Sequence, residues 1–287
     1  MANLAMQGKT CVITGATSGI GREAAAQLAR LGAALVLVGR DAGRGEAATA
    51  WIRRRAPKAE ISVRIADLAR LDDVRRLAAD LIATVPRIDV LINNAGAMFD
   101  RHVLTPDGFE RTFALNHMAY FLLTNLLLDK LRSATPTRIV VVASEAHRGA
   151  TLDFADLAGK NGDTGWSAYR RSKLANILFT SELSRRLAGS GVTANCLHPG
   201  FVASRFGEDN GILMRTGIAI AKRFAAISEE DGAKTVVYLA SSPEVADVTG
   251  GYFDKCRAST PSPAAQDAAA ARRLWGESTA LAGLPSR

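Results

Sequence analysis

The chain has 287 residues, of which 48% are hydrophobic and 22% are charged. This composition suits a folded protein with a large core and excludes an intrinsically disordered chain. No segment reaches the roughly 18 apolar residues that a membrane span needs. The first residues also lack the apolar stretch of a secretory signal, so we expect a cytoplasmic protein. Peripheral contact with a membrane surface stays open.

The net charge of +8 makes nucleic acid or a phosphorylated small molecule a candidate partner. The arginines, however, are spread in separate groups within helix-like segments, and no nucleic-acid-binding module is recognised, so we expect no nucleic-acid partner. The three cysteines are far apart in the sequence, which predicts neither a disulfide framework nor a metal site.

Short apolar segments alternate with longer helix-like segments along the chain. The predicted strands cover residues 9–14, 34–39, 61–65, 89–93, 138–144, 192–197 and 251–253. The predicted helices cover residues 21–31, 43–55, 71–85, 109–132, 167–189, 233–240 and 269–281. The strands are rich in Val, Ile and Leu without polar alternation, as in strands buried on both faces of a parallel sheet. Regular strand–helix alternation therefore predicts a Rossmann-type, doubly wound α/β fold.

The end of the chain differs in composition from the rest. Residues 258–271 are rich in Ala, Ser and Pro, and a short helix is predicted after them. We therefore predict one domain of residues 1–257 and an extension of residues 258–287, which is too short to be a second domain.

The first predicted strand runs into a glycine-rich turn that opens the first helix. Glycines let the backbone approach a pyrophosphate closely, and a helix N-terminus offers unpaired N–H groups and a positive dipole end to the anion. The spacing is Gly-x-x-x-Gly-x-Gly. Its position between strand and helix favours a dinucleotide site over an ordinary tight turn. The predicted binding residues are Gly15, Thr17, Ser18, Gly19, Ile20 and Gly21.

The second strand ends in Gly39, Arg40 and Asp41. An acidic side chain at this place binds a ribose 2′-hydroxyl, whereas an arginine accommodates a 2′-phosphate. Gly39 occupies the place of the acid, and Arg40 follows, with Arg44 four residues on. The sequence therefore favours NADP(H) over NAD(H). Asp41 either neutralises Arg40 or caps the next helix, and Arg40 as an ordinary surface residue stays an alternative.

Tyr169 and Lys173 are four residues apart and share one face of a predicted helix. A Tyr-x-x-x-Lys pair is common by chance. It indicates a catalytic site here because it lies on the helix after the fifth strand, and that strand ends in Ser144. A tyrosine with the usual pKa of about 10 is a poor acid–base group at neutral pH. A neighbouring lysine cation favours the tyrosinate and so lowers that pKa.

The sequence offers two alternatives to these residues, one to Ser144 and one to the acid–base pair. Ser172 is next to Lys173 but points away from the Tyr169–Lys173 face of a helix. Glu145 and His147 could form a different acid–base pair, but a structural role for His147 is favoured.

These motifs resemble those of the short-chain dehydrogenases/reductases, over residues 8–281 or so. The resemblance implies an oxidoreductase that transfers a hydride between a nicotinamide cofactor and an alcohol or carbonyl group. It makes Tyr169 the general acid/base and Lys173 the group that tunes it and binds the nicotinamide ribose. Ser144 then polarises the substrate oxygen, and Asn116 supports Lys173 through a water.

The resemblance also implies further cofactor contacts. They come from Asp67 and Leu68 after the third strand, Asn94, Ala95 and Gly96 after the fourth, Tyr169 and Lys173 themselves, and Pro199, Gly200 and Val202 after the sixth.

The 25 residues from Ser144 to Tyr169 are a longer interval than in compact members of the family. With the ending Gly251-Tyr252-Phe253, this interval resembles the retinol dehydrogenase branch and implies a lipophilic aldehyde, ketone, alcohol or retinoid as substrate. Residues 203–227 combine glycines with apolar residues and fit a mobile substrate lid. An amphipathic helix packed on the body and shallow docking on a membrane surface are the alternatives.

Family analogy also implies a homo-oligomer. A non-catalytic NADP(H)-binding sensor or scaffold of the same fold is the alternative function, although all the residues that such a protein could lose, Ser144, Tyr169 and Lys173, are present.

Overall fold

In the part of the chain that the structure describes, eight strands form one sheet in the order β3-β2-β1-β4-β5-β6-β7-β8. The computed structural model describes residues 5–162, 164–200 and 227–285. The strands are β1 (Thr10–Thr14), β2 (Ala34–Gly39), β3 (Ile61–Ile65), β4 (Val90–Asn93), β5 (Thr137–Val142), β6 (Val192–His198), β7 (Tyr252–Asp254) and β8 (Arg257–Ser259). Strands β1 to β7 pair in parallel, and β8 pairs antiparallel with β7.

Helices lie between the strands. They are α1 (Gly19–Arg30), α2 (Ala42–Arg53), α3 (Leu71–Thr84), α4 (Arg111–Phe113), α5 (Ala119–Ser133), α6 (Gly165–Arg186), α7 (Glu229–Ser241) and α8 (Ala268–Leu281). The predicted doubly wound α/β fold is confirmed, and most predicted elements agree with these bounds to within a few residues.

The central strands of the sheet are buried on both faces. In β1, Val12 packs in the apolar core on the face of the sheet that α3, α5 and α6 cover. Cys11 and Ile13 pack in the core on the opposite face, which α1 and α7 cover. Successive side chains of a strand point to opposite faces. Both faces therefore need apolar residues, which is why the strands show continuous apolar runs.

The strand order reverses between β1 and β4, which lie side by side at the centre of the sheet. At such a switch point the loops that leave the carboxyl ends of two neighbouring strands diverge to opposite faces and open a crevice. The fold thus brings the turn after β1 and the turn after β4 together.

Two elements differ from the sequence prediction. The helix predicted over residues 109–132 is interrupted by a π-helical turn, Ala114–Met118, between α4 and α5. Its cause is a long-range contact of Asn116, described below, which helical periodicity does not register. Strand β8 lies in the predicted connector, so the predicted boundary between residues 257 and 258 falls inside a strand.

The last helix, α8, packs on the body of the protein. The Trp275 ring stacks on Phe179 of α6, with centroids 5.9 Å apart, and meets Phe121 of α5 edge-on at 5.1 Å. Trp275 is only 8% exposed. The final helix therefore completes the core beside α5 and α6.

Candidate active site

A cleft opens at the switch point, and the glycine-rich turn forms one of its walls. Gly15 has a φ of +65°, and a Cβ built on it would lie 2.7 Å from Ala95 Cα. A Cβ on Gly21 would lie 2.5 Å from the Gly15 carbonyl oxygen. Any side chain at these positions would push the turn apart, so the close backbone packing requires glycine.

Thr14 and Asn94 join the turn after β1 to the turn after β4. The Asn94 and Ala95 backbone N–H groups donate to Thr14 Oγ1 at 2.8 and 3.0 Å. Asn94 Nδ2 donates to the Thr14 carbonyl at 2.8 Å. The Asn-Asn-Ala-Gly segment is therefore fixed to the glycine-rich turn, and Asn94, Ala95 and Gly96 all line the cleft.

The N-terminus of α1 faces this cleft through Ser18, Gly19 and Ile20. Ser18, the N-cap residue, makes no side-chain capping bond in the part of the chain that the structure describes, and the first turn of α1 carries no acidic residue. The first N–H groups of a helix have no partner within the helix and, with the dipole, attract anions. The end of α1 is thus suited to a phosphate.

Arg40 and Arg44 line the same cleft beyond the end of β2, and both are exposed. Asp41 caps α2, since its carboxylate accepts from the Arg44 N–H at 2.7 Å. A Cβ on Gly39 would lie 2.5 Å from Thr17 Cγ2, so an acidic side chain does not fit there without moving Thr17. The helix-capping role considered for Asp41 is therefore observed.

Asp67 and Leu68 form another part of the wall, after β3. The Asp67 carboxylate accepts from the Ala69 N–H at 3.1 Å, and the Asp67 N–H donates to Asp73 Oδ2 at 3.0 Å. These bonds hold the turn after β3 at the edge of the cleft.

Ser144, Tyr169 and Lys173 meet at the carboxyl end of β5. The Ser144 and Tyr169 hydroxyls are hydrogen-bonded to each other. Lys173 is 3% exposed, its Nζ donates to the Val142 carbonyl at 2.9 Å, and that Nζ lies 5.6 Å from the centre of the Tyr169 ring. Tyr169 and Lys173 both line the cleft, on the face of α6 that the sequence predicted.

Burial dominates the ionisation of these groups. It raises the pKa of Tyr169 to about 12, against the smaller lowering by the Ser144 hydrogen bond. Burial also lowers the pKa of Lys173 to about 7. The sequence argument expected a lowered pKa for Tyr169. In the structure the pKa of Tyr169 is instead raised, because the cost of desolvating a tyrosinate exceeds the favourable interactions around it.

Asn116 sits in the π-helical turn and is fully buried. Its side chain accepts from the Ala97 N–H and donates to the Ala97 carbonyl, both at 2.9 Å, and donates to Ser172 Oγ at 3.0 Å. A Cβ on Gly96 would lie 3.2 Å from Asn116 Oδ1 and 3.5 Å from Lys173 Nζ. Asn116 therefore fixes the backbone that runs past Lys173.

Ser172, the alternative to Ser144, and the pair Glu145 and His147 lie outside the cleft. Ser172 donates to the Tyr169 carbonyl at 2.7 Å, on the Asn116 side of α6. The Glu145 carboxylate accepts from the Tyr252 hydroxyl at 3.0 Å, and His147 is fully buried. None of these three residues lines the described cleft, and neither do Ser144 and Asn116, which contact the cleft residues Tyr169 and Ala97.

The structure adds cleft residues that the sequence did not reveal. Met98, Phe99 and Leu115 give an apolar stretch of wall, and the Arg111 guanidinium lies over the Phe99 ring at 4.1 Å. Trp166 is 51% exposed and stacks on Tyr169 with centroids 5.9 Å apart. In the sequence, this apolar wall is indicated only by Ala97, Met98 and Phe99, which follow the Asn-Asn-Ala-Gly segment of residues 93–96.

The last predicted cofactor contacts follow β6. Pro199 lines the cleft. Gly200 has a φ of +87° and packs against Ile227, whose Cδ1 would lie 2.5 Å from a Cβ at that position. Val202 and most of the predicted lid, residues 203–226, lie outside the described residues.

Comparison with known proteins shows the family to which the chain belongs. The short chain dehydrogenase family model matches residues 9–211. Retinol dehydrogenase 13 of Homo sapiens is 45% identical over 96% of this chain and 85% of its own length. The chain belongs to the short-chain dehydrogenase family, and it is an oxidoreductase acting on CH–OH or C=O groups. The resemblance to the retinol dehydrogenase branch is confirmed.

Solved structures show the same fold. A protein from Mycobacterium paratuberculosis is 37% identical, with a TM-score of 0.79 over 97% of this chain and 94% of that one. A structure from Escherichia coli CFT073, solved in complex with NADPH, is 25% identical, with a TM-score of 0.70 over 89% and 99%.

Within the described ranges, no helix is both long and apolar enough to cross a membrane.

Proposed function

We propose that the protein interconverts an alcohol and a carbonyl group on a lipophilic small molecule, with NADP(H) as its redox partner. The observation that carries this proposal is the hydrogen bond between Ser144 and Tyr169, with buried Lys173 beside Tyr169 in the wall of the cleft. Two hydroxyls this close can hold one substrate oxygen between them.

The residues present fit a bound nicotinamide dinucleotide. Gly15 packs against Ala95, and Gly21 packs against Gly15 and Asn94, with no room for a side chain at either glycine. The backbone of this turn can therefore approach a pyrophosphate closely. The N-terminus of α1 would hold the pyrophosphate. Lys173 and the backbone at Gly96 would border the nicotinamide ribose. When bound, the nicotinamide would supply or accept the hydride.

The chain's own residues would manage the proton. During reduction, Ser144 and Tyr169 donate hydrogen bonds to the carbonyl oxygen, and Tyr169 transfers its proton as negative charge develops there. Ser144 remains a donor to that oxygen, which is the role of an oxyanion-hole group. The Lys173 ammonium stabilises the negative charge left on the Tyr169 oxygen. Oxidation of an alcohol uses the same contacts in reverse.

The preference for NADP(H) rests on the end of β2. Arg40 and Arg44 present two guanidinium groups to the cleft, and such groups pair with phosphate through charge-assisted hydrogen bonds. The position of the acid that would bind a 2′-hydroxyl is Gly39, which packs against Thr17. The NADPH complex of the Escherichia coli relative supports the proposal.

The substrate class rests on the walls beside Tyr169. Met98, Phe99 and Leu115 are apolar, and the exposed Trp166 ring extends the Tyr169 surface. Apolar walls with few polar groups suit a hydrophobic ligand. The names of the retinol dehydrogenase relatives support a lipophilic aldehyde or alcohol. The lid proposed over residues 203–227 would cover this side.

The test measures NADPH oxidation by the purified protein with a panel of aliphatic aldehydes, aromatic ketones and retinal. Tyr169→Phe removes one oxygen and should lower kcat by about 10²–10⁴-fold, while the Kd for NADPH stays unchanged. Full activity of this variant would contradict the proposed mechanism. A wild-type protein that binds NADPH tightly but turns over nothing in the panel would favour a non-catalytic sensor.

Cytoplasmic location, assembly as a homo-oligomer and the division at residue 257 remain predictions from the sequence. Cell fractionation and sedimentation of the purified chain test the first two.

A further inference from the structure

His147 is buried directly behind Ser144. Its Nδ1 lies 2.7 Å from the Ser144 carbonyl oxygen, and its Nε2 accepts a hydrogen bond from the Ser262 backbone N–H at 3.0 Å. Because that N–H can only donate, Nε2 must carry the lone pair and Nδ1 must carry the proton. His147 is therefore a donor to the Ser144 carbonyl, in a tautomer that Ser262 selects.

His117 makes an equivalent connection behind Asn116. Asn176 Nδ2 donates to the Asn116 carbonyl at 2.9 Å, which leaves Asn176 Oδ1 to face His117 Nδ1 at 3.2 Å. An oxygen acceptor there requires a proton on Nδ1, so His117 Nε2 accepts from the Ser278 hydroxyl at 3.2 Å. All four of these side chains are fully buried.

Burial favours the neutral form of both rings. It lowers the pKa of His117 to about 4, and it lowers the pKa of His147. Around His117 the rings of Phe113 at 5.0 Å and Phe179 at 6.2 Å exclude water, and Tyr252 packs edge-on against His147 at 5.3 Å. A neutral ring with one fixed tautomer is a directional connector, with a donor at one end and an acceptor at the other.

The two connections share a design. Each begins in the C-terminal segment, at Ser262 or Ser278, passes through one histidine, and ends on the backbone carbonyl of a residue of the proposed site. The partners are 115 residues apart in the first case and 161 in the second. The contact at Ser144 is direct, and the contact at Asn116 passes through Asn176.

We propose that residues 262–281 belong to the active-site scaffold, and that His147 and His117 are positioning residues through which this segment orients Ser144 and Asn116. The proposal rests on the proposed function for its activity readouts. Ser144 Oγ also accepts from the Ala146 N–H at 3.2 Å. The hydrogen bond from His147 to the Ser144 carbonyl fixes the backbone of Ser144, and with it the direction of the hydroxyl. Small errors in such placement lower a catalytic rate steeply.

Two substitutions of His147 separate the two ends of the ring. In His147→Asn the amide nitrogen takes the place of Nδ1 and can donate to Ser144 without any tautomer to select. In His147→Gln the amide oxygen takes the place of Nε2 and can accept from Ser262, but the donor to Ser144 is lost. Each variant keeps one of the two hydrogen bonds, so a purely structural role predicts similar Tm and similar kcat for both.

We expect kcat with the best aldehyde of the panel to be on the order of tenfold higher in His147→Asn than in His147→Gln. The Kd for NADPH should be the same in both variants and in the wild type. Equal kcat values for the two variants would overturn the assignment of His147.

The second connection is tested at α8. Ser278→Ala removes the donor to His117 Nε2 and allows the proton to move there, which leaves Asn176 Oδ1 without its donor. We expect a fall in kcat of roughly 3- to 10-fold with unchanged NADPH affinity, the size of one weakened hydrogen bond. Thr279→Val is the matched control, because among the described residues the Thr279 hydroxyl donates only to the Trp275 carbonyl of its own helix. Equal kcat in Ser278→Ala and Thr279→Val would overturn this connection.

A measurement that needs no turnover keeps the inference separate from the proposed function. Nitrogen-15 NMR of the four histidines at pH 7 should show His117 and His147 as neutral, Nδ1-protonated rings. An Nε2-protonated tautomer at either position would refute the inference even in an active enzyme. If Tyr169→Phe remained fully active while both tautomers were as stated, the proposed function would fail and the geometry would stand.

Discussion

The cofactor side and the catalytic side of the cleft are built in different ways. On the cofactor side, the turn after β1 and the N-terminus of α1 present backbone groups, and glycines at positions 15 and 21 permit the packing. On the catalytic side, the Tyr169 and Lys173 side chains line the cleft, and Ser144 is hydrogen-bonded to Tyr169. These groups are held by hydrogen bonds from distant parts of the chain. Changes on the cofactor side should therefore alter cofactor affinity, and changes on the catalytic side should alter kcat.

The largest expected effect on the catalytic side, after that of Tyr169, is at Ser144. Ser144→Ala removes the second donor to the substrate oxygen and should lower kcat by about 10²–10³-fold. Steady-state kinetics with NADPH and the best aldehyde measures this, and the Kd for NADPH should not change. If the variant lost cofactor affinity together with kcat, the claim that the catalytic side affects only kcat would be wrong.

The largest expected effect on the cofactor side is at Gly21. The added Cβ of Gly21→Ala would lie 2.4 Å from Asn94 Nδ2 and 2.5 Å from the Gly15 carbonyl, so the two turns must separate. We expect a loss of about 1–3 kcal/mol in NADPH binding and in the free energy of unfolding, as for overpacked cores. Calorimetry and urea unfolding measure both quantities.

Gly276→Ala is the control for that substitution. No atom lies within 4 Å of a Cβ at Gly276 in the described structure, so cofactor affinity should not change. An unchanged affinity in Gly21→Ala would show that the backbone packing is not what shapes the phosphate site.

A smaller and more selective effect is expected at Arg40. Arg40→Ala should weaken NADPH binding by roughly 10- to 100-fold, the value of a charge-assisted hydrogen bond, and should change NADH binding little. Arg53→Ala removes the same charge from the exposed surface of α2 and serves as the control. Equal losses for both cofactors would refute the preference for NADP(H).

The last expected effect needs no substitution and is a pH dependence on the catalytic side. Burial lowers the pKa of Lys173 to about 7, so the ammonium loses its proton as the pH rises through that value. Reduction needs this cation beside Tyr169, and kcat/KM for reduction should therefore fall by up to about tenfold per pH unit above pH 7. A profile that is flat from pH 6 to pH 9 would show that Lys173 keeps its charge.

The sequence predicted the cofactor side more completely than the catalytic side. Close backbone approach and helix N-termini depend on residues that are neighbours in the sequence, so a short motif predicts them. The turn containing Gly15, Gly19 and Gly21 lies where the sequence predicts it. The meeting of Ser144 with Tyr169 and Lys173 was also predicted, because the ends of neighbouring parallel strands and the helices beside them share one edge of the sheet.

What sequence patterns did not register are contacts between residues far apart in the chain. The π-helical turn at Asn116 replaces a predicted regular helix, since the Asn116 side chain bonds both backbone groups of Ala97. Strand β8 was read as connector because three exposed residues carry no apolar pattern. Burial, which is a property of the packed protein, raised the pKa of Tyr169 where the lysine alone suggested the opposite.

The sequence by itself determined the doubly wound fold, the family and the residues at the edge of the cleft, because periodicity and short motifs record local geometry. Only the tertiary structure decided that the last helix packs against α5 and α6 and that Ser262 and Ser278 reach His147 and His117. Hydrogen bonds across more than 100 residues depend on how the chain packs, and no stretch of sequence contains both partners.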